Sequence, residues 1–187
     1  MSKYTCLLFI YIFLCSCQNR DTMKICISEM MSEKVHIPYD SMIYVSFKEE
    51  TDKLTYLKNV QRCKYKYIMY VSKERCSTCI MDKLALWNEM LGLSKQNKLQ
   101  IIFIISSDKE KIEDVRNSFY KSGLEYPIMI DTCNIFTRHN PHIPQNHVYH
   151  TLLLNSNDSI KLVGDPIHNE KIHALMNKIV VSKSLNE

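Results

Sequence analysis

The spacing of apolar and polar residues predicts a chain in which strands alternate with helices. Tyr65–Val71 begins with loose alternation and then becomes apolar, as a strand entering a core does. Leu99–Ile105 is an unbroken apolar run, which is typical of a central strand buried on both faces. Between them, apolar side chains recur at helical spacing, at Ile80, Leu84, Trp87 and Leu91. This spacing predicts a helix that buries one stripe of side chains.

The second half of the chain continues this alternation. Polar residues 106–108 can cap a helix from Lys109 to about Lys121, and Gly123 is suited to end it. A short strand is predicted at Pro127–Ile130 and is followed by a hairpin and a last helix. The hairpin strands are Thr151–Leu154 and Ile160–Val163, and the last helix carries Ile172, Leu175, Met176 and Ile179 on one face.

The segment before Tyr65 gives weaker signals. Residues 18–34 are polar and mixed, which is typical of a linker, whereas Val35–Pro38 and Met42–Val45 predict short strands. The charged stretch Lys48–Asn59 predicts a surface helix or turn. From the first long strand onward, the order is strand, helix, strand, helix, strand, loop, hairpin and helix. This order predicts an α/β fold with a mixed central sheet, helices on both faces and an antiparallel edge.

The composition fits one globular domain with extensions. Of the 187 residues, 45% are hydrophobic and 24% are charged. The net charge of +4 comes from scattered basic residues, so no nucleic-acid partner is expected. Eight cysteines are too few for a disulfide framework in a chain of this size, but their positions suggest thiol chemistry.

The N-terminus has the pattern of an export signal. A small positive region precedes a mostly apolar run that is too short to span a bilayer. The run ends in Leu14, Ser16 and Cys17, which resembles the lipobox of bacterial lipoproteins. Residues 1–17 are therefore expected to be a signal peptide ending at the lipidated Cys17, with a simple cleaved signal or a short anchor as alternatives. The lipid would hold the protein to a membrane of the cell envelope, where disulfides can form.

Cys76 and Cys79 are the candidate reactive pair. Two residues separate them, and they stand where the strand Tyr65–Val71 gives way to a helix, a context typical of redox motifs. At a helix N-terminus, unpaired backbone N–H groups and the helix dipole favour a thiolate, and Lys73 and Arg75 add positive charge. Cys76 is therefore predicted to be the nucleophile that forms a mixed disulfide, and Cys79 the residue that resolves it.

Other interpretations of the cysteines remain. The pair also fits a structural disulfide or half of a zinc site, but no second CxxC or HxxxH completes four zinc ligands. Cys63 and Cys133 flank the central strands and are predicted to be packed or idle thiols. Cys26 lies in the predicted linker and has no assigned role.

With CxxC at the first strand-to-helix turn, the chain resembles the thioredoxin-like superfamily. The extra strand and helix before the hairpin resemble its TlpA/ResA-like (redoxin) branch. The segments YPIMID and HTLLLNSNDSIKLVGDPIHNEKI, with the lipobox, resemble thioredoxin-like lipoproteins of Bacteroides. The resemblance implies a three-layer thioredoxin-like domain over residues 38–187 with an inserted strand–helix unit, preceded by a linker over residues 18–37.

The resemblance also implies roles for individual residues. Asp82, about one helical turn beyond the second cysteine, matches an acid that tunes the thiols in TlpA/ResA-like reductases. An ordinary first-turn acid favoured by the helix dipole is the alternative. Tyr149, His150 and Thr151 form the substrate-side loop, and the first two stand where redox thioredoxins carry a cis-proline. Arg75 stands where those proteins carry an aromatic residue.

Histidines crowd the segment before the hairpin, at His139, His142, His147 and His150. In the thioredoxin-like fold this loop faces the CxxC pair. One histidine could join the cysteines in a copper site, as in the related Sco-type proteins, or act as a proton source. Sco-type cysteines, however, are separated by three residues, and we expect no cofactor and no resident metal.

Two functional hypotheses follow. The first is a membrane-anchored thiol–disulfide oxidoreductase that acts on protein or low-molecular-weight thiols and disulfides in the cell envelope. The second is a non-catalytic lipoprotein that uses the same fold to bind a metal such as copper, or a protein partner, with structural cysteines.

Overall fold

Six strands form one mixed sheet in the computed structural model, which describes residues 22–47, 52–75, 77–96 and 99–181. The strands are β1 (Ile43–Val45), β2 (Tyr65–Val71), β3 (Leu99–Ser106), β4 (Ile128–Asp131), β5 (Thr151–Asn155) and β6 (Ile160–Val163). Their order across the sheet is β1-β4-β3-β2-β5-β6. The central strands β2, β3 and β4 are parallel, and β1, β5 and β6 run antiparallel to their neighbours. The predicted mixed sheet with an antiparallel hairpin at one edge is therefore confirmed.

Helices cover both faces of this sheet. They are α1 (residues 22–32), α2 (Lys53–Arg62), α3 (Ser77–Leu84), α4 (Leu91–Lys95), α5 (Ile112–Ser122), α6 (Ile135–His139) and α7 (Glu170–Val180). The buried residues of α3, α5 and α7 join one hydrophobic cluster, and those of α1, α2 and α6 join another. None of the helices in the described ranges has the length and apolarity needed to cross a bilayer.

Strand β3 shows why the layers form. Successive side chains of a strand point to opposite faces, so Phe103 packs into the first cluster, whereas Ile102 and Ile104 pack into the second. All three side chains are fully buried. The unbroken apolar run thus supplies the core on both sides, as predicted.

The helix after the cysteine pair is not continuous. α3 is followed by a 3-10 segment, Ala85–Met90, before the chain returns to α-helix in α4. Trp87 lies in this segment and is fully buried, with its ring 5.4 Å from that of Tyr67 and 5.8 Å from that of Phe103. The predicted buried stripe therefore exists, but the helix carrying it changes pitch.

The N-terminal part of the described chain differs from the linker interpretation. Residues 22–32 form α1, and Met30 is 1% exposed against the second cluster. The segment after α1 is also fixed by hydrogen bonds. The Asn140 side chain accepts one from the His36 N–H (2.8 Å) and donates one to the His36 carbonyl (2.8 Å). Val35–Pro38 is not a strand. Apolar and polar residues are mixed along α1, and Met23, Ile25 and Met31 are exposed, so its composition does not separate a buried face from an exposed one.

Other helices differ in which residues they bury. α2 turns Tyr56 and Val60 inward, while Leu54 is 70% exposed. α7 buries Met176 but leaves Leu175 on the surface. Gly123 ends α5 with a φ of +73°, a left-handed conformation that suits glycine, as predicted.

Candidate functional site

The candidate site lies where the chain turns from β2 into α3. The Arg75 N–H donates to the Ser72 carbonyl (3.1 Å), which closes the turn after β2, and α3 begins at Ser77. Cys76 and the side chains of Cys79 and Asp82 lie outside the described part of the structure. The strand, the turn and the helix predicted around these three residues are nevertheless present.

A groove of about 590 Å³ opens beside this turn and is called the main groove below. Its walls include Arg75, Ile80 and Lys83 from the α3 side, Tyr149 and Thr151 from the segment entering β5, and residues of α1 and of the β6–α7 loop. Because Arg75 directly precedes Cys76 and Ile80 directly follows Cys79, groove-lining residues bracket the CxxC sequence on both sides.

The charges near the turn differ in how they are paired. The Lys73 ammonium forms an ion pair with Asp108, which also lies 3.8 Å from Lys111. The hydrogen bond to Asp108 raises the pKa of Lys73 and lowers that of Asp108. The Lys73 charge is therefore largely countered by its partner, and Arg75 is the cation of this turn that lines the main groove.

The substrate-side loop divides between two surfaces. Tyr149 and Thr151 line the main groove, and Thr151 opens β5 opposite Met69. Burial, together with the neighbouring Cys26 thiol of α1, raises the pKa of Tyr149. Every peptide bond in the described ranges is trans, including those around Tyr149 and His150.

His150 lies against a different pocket from its neighbours. This second pocket, of about 420 Å³, is also lined by Tyr70 and Glu74. The imidazole is 3% exposed, its Nε2 lies 2.9 Å from the Pro144 carbonyl, and its ring centre is 4.9 Å from that of Tyr70. Its Nδ1 is buried without a protein partner in the described structure. These contacts show that His150 is a packed, buried side chain.

The four histidines before the hairpin do not gather in one place. His139 stacks on His36 with ring centres 4.8 Å apart, His147 lines the main groove, and His150 lines the second pocket. His142 is half-buried, and burial lowers its pKa. Within the described ranges, no three side chains of His, Cys, Asp or Glu come together as a metal site.

Burial of His150 gives a stability prediction. Desolvation, with the positive charges of His147 and Arg75 adding to it, lowers the pKa of His150 below its usual 6.5. The unfolded chain therefore binds this proton more readily, so the folded state loses stability as pH falls below about 6.5 towards the folded pKa. His150→Gln should flatten the change in unfolding free energy between about pH 7.5 and about pH 5.5.

Urea unfolding at the two pH values measures this change. His173→Gln, on α7 and half-buried, is the matched control and should keep the wild-type slope. Part of the slope will remain in the His150 variant because burial also lowers the pKa of His142. If His150→Gln left the slope unchanged, His150 would not be a source of the pH dependence.

Cys26, Cys63 and Cys133, which lie in the described ranges, are free thiols. Cys63 is buried at the end of α2, and burial raises the pKa of its thiol, as expected for a packed residue. Cys133 is exposed in the turn after β4, and Cys26 is half-buried on α1. Sequence reasoning left Cys26 in a linker because the contact between α1 and Tyr149 has no local signal.

Two functional candidates were missed by sequence reasoning. Asp165 and His168, in the loop between β6 and α7, both line the main groove and are joined by a 2.8 Å contact between Asp165 Oδ2 and His168 Nδ1. The signal was the segment GDPIHN, in which an acid and a histidine stand three residues apart after a strand.

Comparison with known proteins gives similarity in structure only. No family model matches the chain, and no curated protein matches it. Among solved structures, a PrxQ protein of Xylella fastidiosa matches with a TM-score of 0.49 and 12% identity, over 83% of this chain and 98% of that one. A thioredoxin-like protein of Bacteroides caccae matches with a TM-score of 0.42 and 16% identity, over 63% of this chain and 42% of that one.

A third match is a hypothetical protein of Sinorhizobium meliloti, with a TM-score of 0.43 and 15% identity. It covers 59% of this chain, which spans 60% of that protein. The topology itself defines the fold class: parallel β2, β3 and β4, an antiparallel β5–β6 hairpin beside β2, and helices on both faces. The fold is thioredoxin-like, as predicted.

Proposed function

We propose, from this thioredoxin-like fold, that the protein is a thiol–disulfide oxidoreductase in which Cys76 is the nucleophile and Cys79 resolves the mixed disulfide. Asp82 is proposed to help move protons between the two thiols. The substrates are protein or low-molecular-weight disulfides. Through a lipid on Cys17, the enzyme is proposed to be anchored in the cell envelope.

One observation carries the proposal. The CxxC sequence begins directly after the turn that follows the central parallel strand β2 and continues into the first residues of α3, and its flanking residues Arg75 and Ile80 line a groove. In sheets of this kind, ligands bind outside the carboxyl ends of the parallel strands. The groove is open and is lined in part by the apolar side chains of Met69 and Val163, so it suits an extended segment of a partner.

Local electrostatics support Cys76 as the nucleophile. A thiol at a helix N-terminus is acidified by the free backbone N–H groups and the dipole, and a nearby cation adds to the effect. Arg75 is the adjacent cation, whereas Lys73 is engaged by Asp108. We therefore expect Arg75 to contribute more to thiolate formation than Lys73.

The proposed reaction exchanges two electrons. The Cys76 thiolate attacks one sulfur of a substrate disulfide, forms a mixed disulfide and releases the other sulfur as a thiolate. The Cys79 thiolate then attacks Cys76, which releases the second substrate sulfur and leaves a Cys76–Cys79 disulfide. The same steps in reverse oxidise a substrate dithiol, and the redox potential decides which direction dominates.

Reversible oxidation of this pair tests the function. Protein equilibrated with mixtures of reduced and oxidised dithiothreitol should be alkylated with maleimide, digested and weighed by mass spectrometry. We expect one two-electron transition confined to the peptide that carries Cys76 and Cys79. Buried Cys63 should react with maleimide only after the protein is denatured, whichever mixture is used.

Two outcomes would reject the proposal. A Cys76–Cys79 disulfide that no dithiol mixture opens would show a structural bond. A pair that remains reduced in the most oxidising mixture would show that the cysteines do not act together. Either result would favour the second hypothesis, a non-catalytic binding protein with structural cysteines, over the oxidoreductase.

A further inference from the structure

The loop between β6 and α7 brings an Asp–His pair into the main groove. The loop begins at Gly164, whose N–H donates to the Thr151 carbonyl (2.8 Å) and whose carbonyl accepts from the Tyr67 hydroxyl (2.7 Å). Gly164 has a φ of +130°, and a Cβ there would meet the Ile172 side chain at 3.0 Å. The start of this loop is thus fixed to β2, β5 and α7.

Asp165 orders the rest of the loop through both carboxylate oxygens. Oδ1 accepts hydrogen bonds from the Ile167 N–H (2.8 Å) and the His168 N–H (3.4 Å). Oδ2 lies 2.8 Å from His168 Nδ1. The same carboxylate therefore shapes the turn and orients the imidazole ring.

The arrangement leaves Nε2 of His168 for a ligand. With Nδ1 facing a carboxylate, the neutral imidazole carries its proton on Nδ1 and presents Nε2 as an acceptor, and the charged form presents Nε2–H as a donor. The His168 side chain is 52% exposed, and in the described part of the chain no protein group is hydrogen-bonded to Nε2. A base held by an acid in a cleft is the arrangement that general acid–base catalysis uses.

The groove also places this pair beside the CxxC sequence. Charged or titratable side chains line the groove on three sides: Arg75 and Lys83 from the α3 side, His147 and Tyr149 from the segment entering β5, and Asp165 from the loop itself. Asp165 is the acid among these described residues, and its carboxylate is already bonded to His168. The groove therefore suits a developing thiolate better than a second cation.

We propose that His168, positioned by Asp165, is the acid–base catalyst of thiol–disulfide exchange at the Cys76–Cys79 pair. This inference rests on the proposed function. When the Cys76 thiolate attacks a substrate disulfide, a bond forms between Cys76 and one substrate sulfur, the substrate S–S bond breaks, and its electron pair leaves on the second sulfur. The His168 imidazolium gives its Nε2 proton to that thiolate, which departs as a neutral thiol.

The second half of the reaction uses the same nitrogen. Neutral His168 takes the proton from the Cys79 thiol, and the resulting thiolate attacks Cys76 and expels the remaining substrate sulfur. The imidazolium returns the proton to that sulfur. Two protein thiols are oxidised to a disulfide, one substrate disulfide is reduced to two thiols, and His168 then takes up a proton from solvent.

Leaving groups of different acidity test this role. The reduced full chain should be mixed with hydroxyethyl disulfide, whose leaving thiol needs a proton, and with dithiobis(nitrobenzoate), whose aromatic thiolate leaves unprotonated. The rate is the loss of the free Cys76 thiol, quenched with acid and measured by mass spectrometry, so that only the first step is followed. We expect His168→Gln to slow the reaction with the alkyl disulfide by about 10²-fold. The rate with the aromatic disulfide should stay within about twofold of the wild-type rate.

Asp165→Asn is the second variant. An asparagine oxygen can still accept the turn hydrogen bonds, but its amide cannot accept from Nδ1–H, so the ring loses its orientation. We expect a smaller loss that is again confined to the alkyl disulfide. His173→Gln, on α7 and outside the groove lining, should match the wild type with both reagents.

The outcomes separate the two levels of the proposal. If the wild-type pair reacts with both reagents and His168→Gln slows both equally or neither, the catalytic role of His168 is rejected and the oxidoreductase stands. If the wild-type pair reacts with neither reagent, the oxidoreductase itself fails. Circular dichroism and thermal unfolding of each variant exclude loss of fold as the cause of a slow rate.

Discussion

Replacing Cys76 with Ser should abolish disulfide exchange, with a fall in rate of at least about 10³-fold. The hydroxyl of serine is not ionised by a helix N-terminus, so no nucleophile remains to attack the substrate sulfur. Cys79→Ser should behave differently, since Cys76 can still attack but the mixed disulfide has no resolving thiol. Proteins trapped in that variant should be released by a dithiol and identified by mass spectrometry.

The other free cysteines provide the matched controls. Cys133→Ser changes an exposed thiol after β4 and should leave both the exchange rate and the trapped set unchanged. Cys26→Ser changes a half-buried thiol on α1 next to Tyr149. A mixed disulfide that survives in Cys76→Ser but disappears in Cys26→Ser would show that the wrong cysteine has been assigned as the nucleophile.

Replacing Asp131 with Ala should cost about 3–5 kcal/mol of unfolding free energy, the largest stability effect we expect. Its carboxylate is fully buried at the end of β4. Oδ1 accepts from the Cys133 N–H (3.1 Å) and the Ile135 N–H (3.0 Å), and Oδ2 accepts from the Phe136 N–H (2.9 Å). Alanine would leave all three donors without a partner at the start of α6.

Urea unfolding measures the loss, with two comparison variants. Asp131→Asn keeps one acceptor oxygen and should cost less than the alanine variant. Asp114→Ala removes an exposed acid from the first turn of α5 and should cost less than about 1 kcal/mol. If Asp131→Ala were no more destabilising than Asp114→Ala, the three hydrogen bonds would not be the reason for the buried carboxylate.

Apolar patterns in the sequence predicted several strands well. Tyr65–Val71 and Ile160–Val163 appear with the predicted bounds, because each apolar segment is followed by a residue that interrupts the pattern, Ser72 in one case and Gly164 in the other. A strand was predicted at Pro127–Ile130, and β4 runs one residue further, to Asp131. Its role as a hydrogen-bond acceptor for α6 was not predictable, since it depends on a turn in which Asn134 has a φ of +52°.

The site was predicted less completely than the fold. The CxxC motif and its strand–turn–helix context are local in sequence, so they could be read directly. The groove is built by parts of the chain that are far apart: α1, the α3 side, the segment entering β5 and the β6–α7 loop. Because spacing does not report such contacts, sequence reasoning assigned α1 to a linker and grouped His150 with His147, although the two line different pockets.

The packed helix α1 has a consequence for how far the protein could reach from a membrane. If Cys17 carries a lipid, only residues 18–21 separate the anchor from the helix that walls the main groove. Four extended residues span at most about 14 Å. A tether of that length lets the body of the protein rotate at the bilayer surface without sampling the depth of the envelope. Its substrates would then be disulfides held close to that membrane, and lengthening the segment between Cys17 and α1 should widen the set of accessible partners.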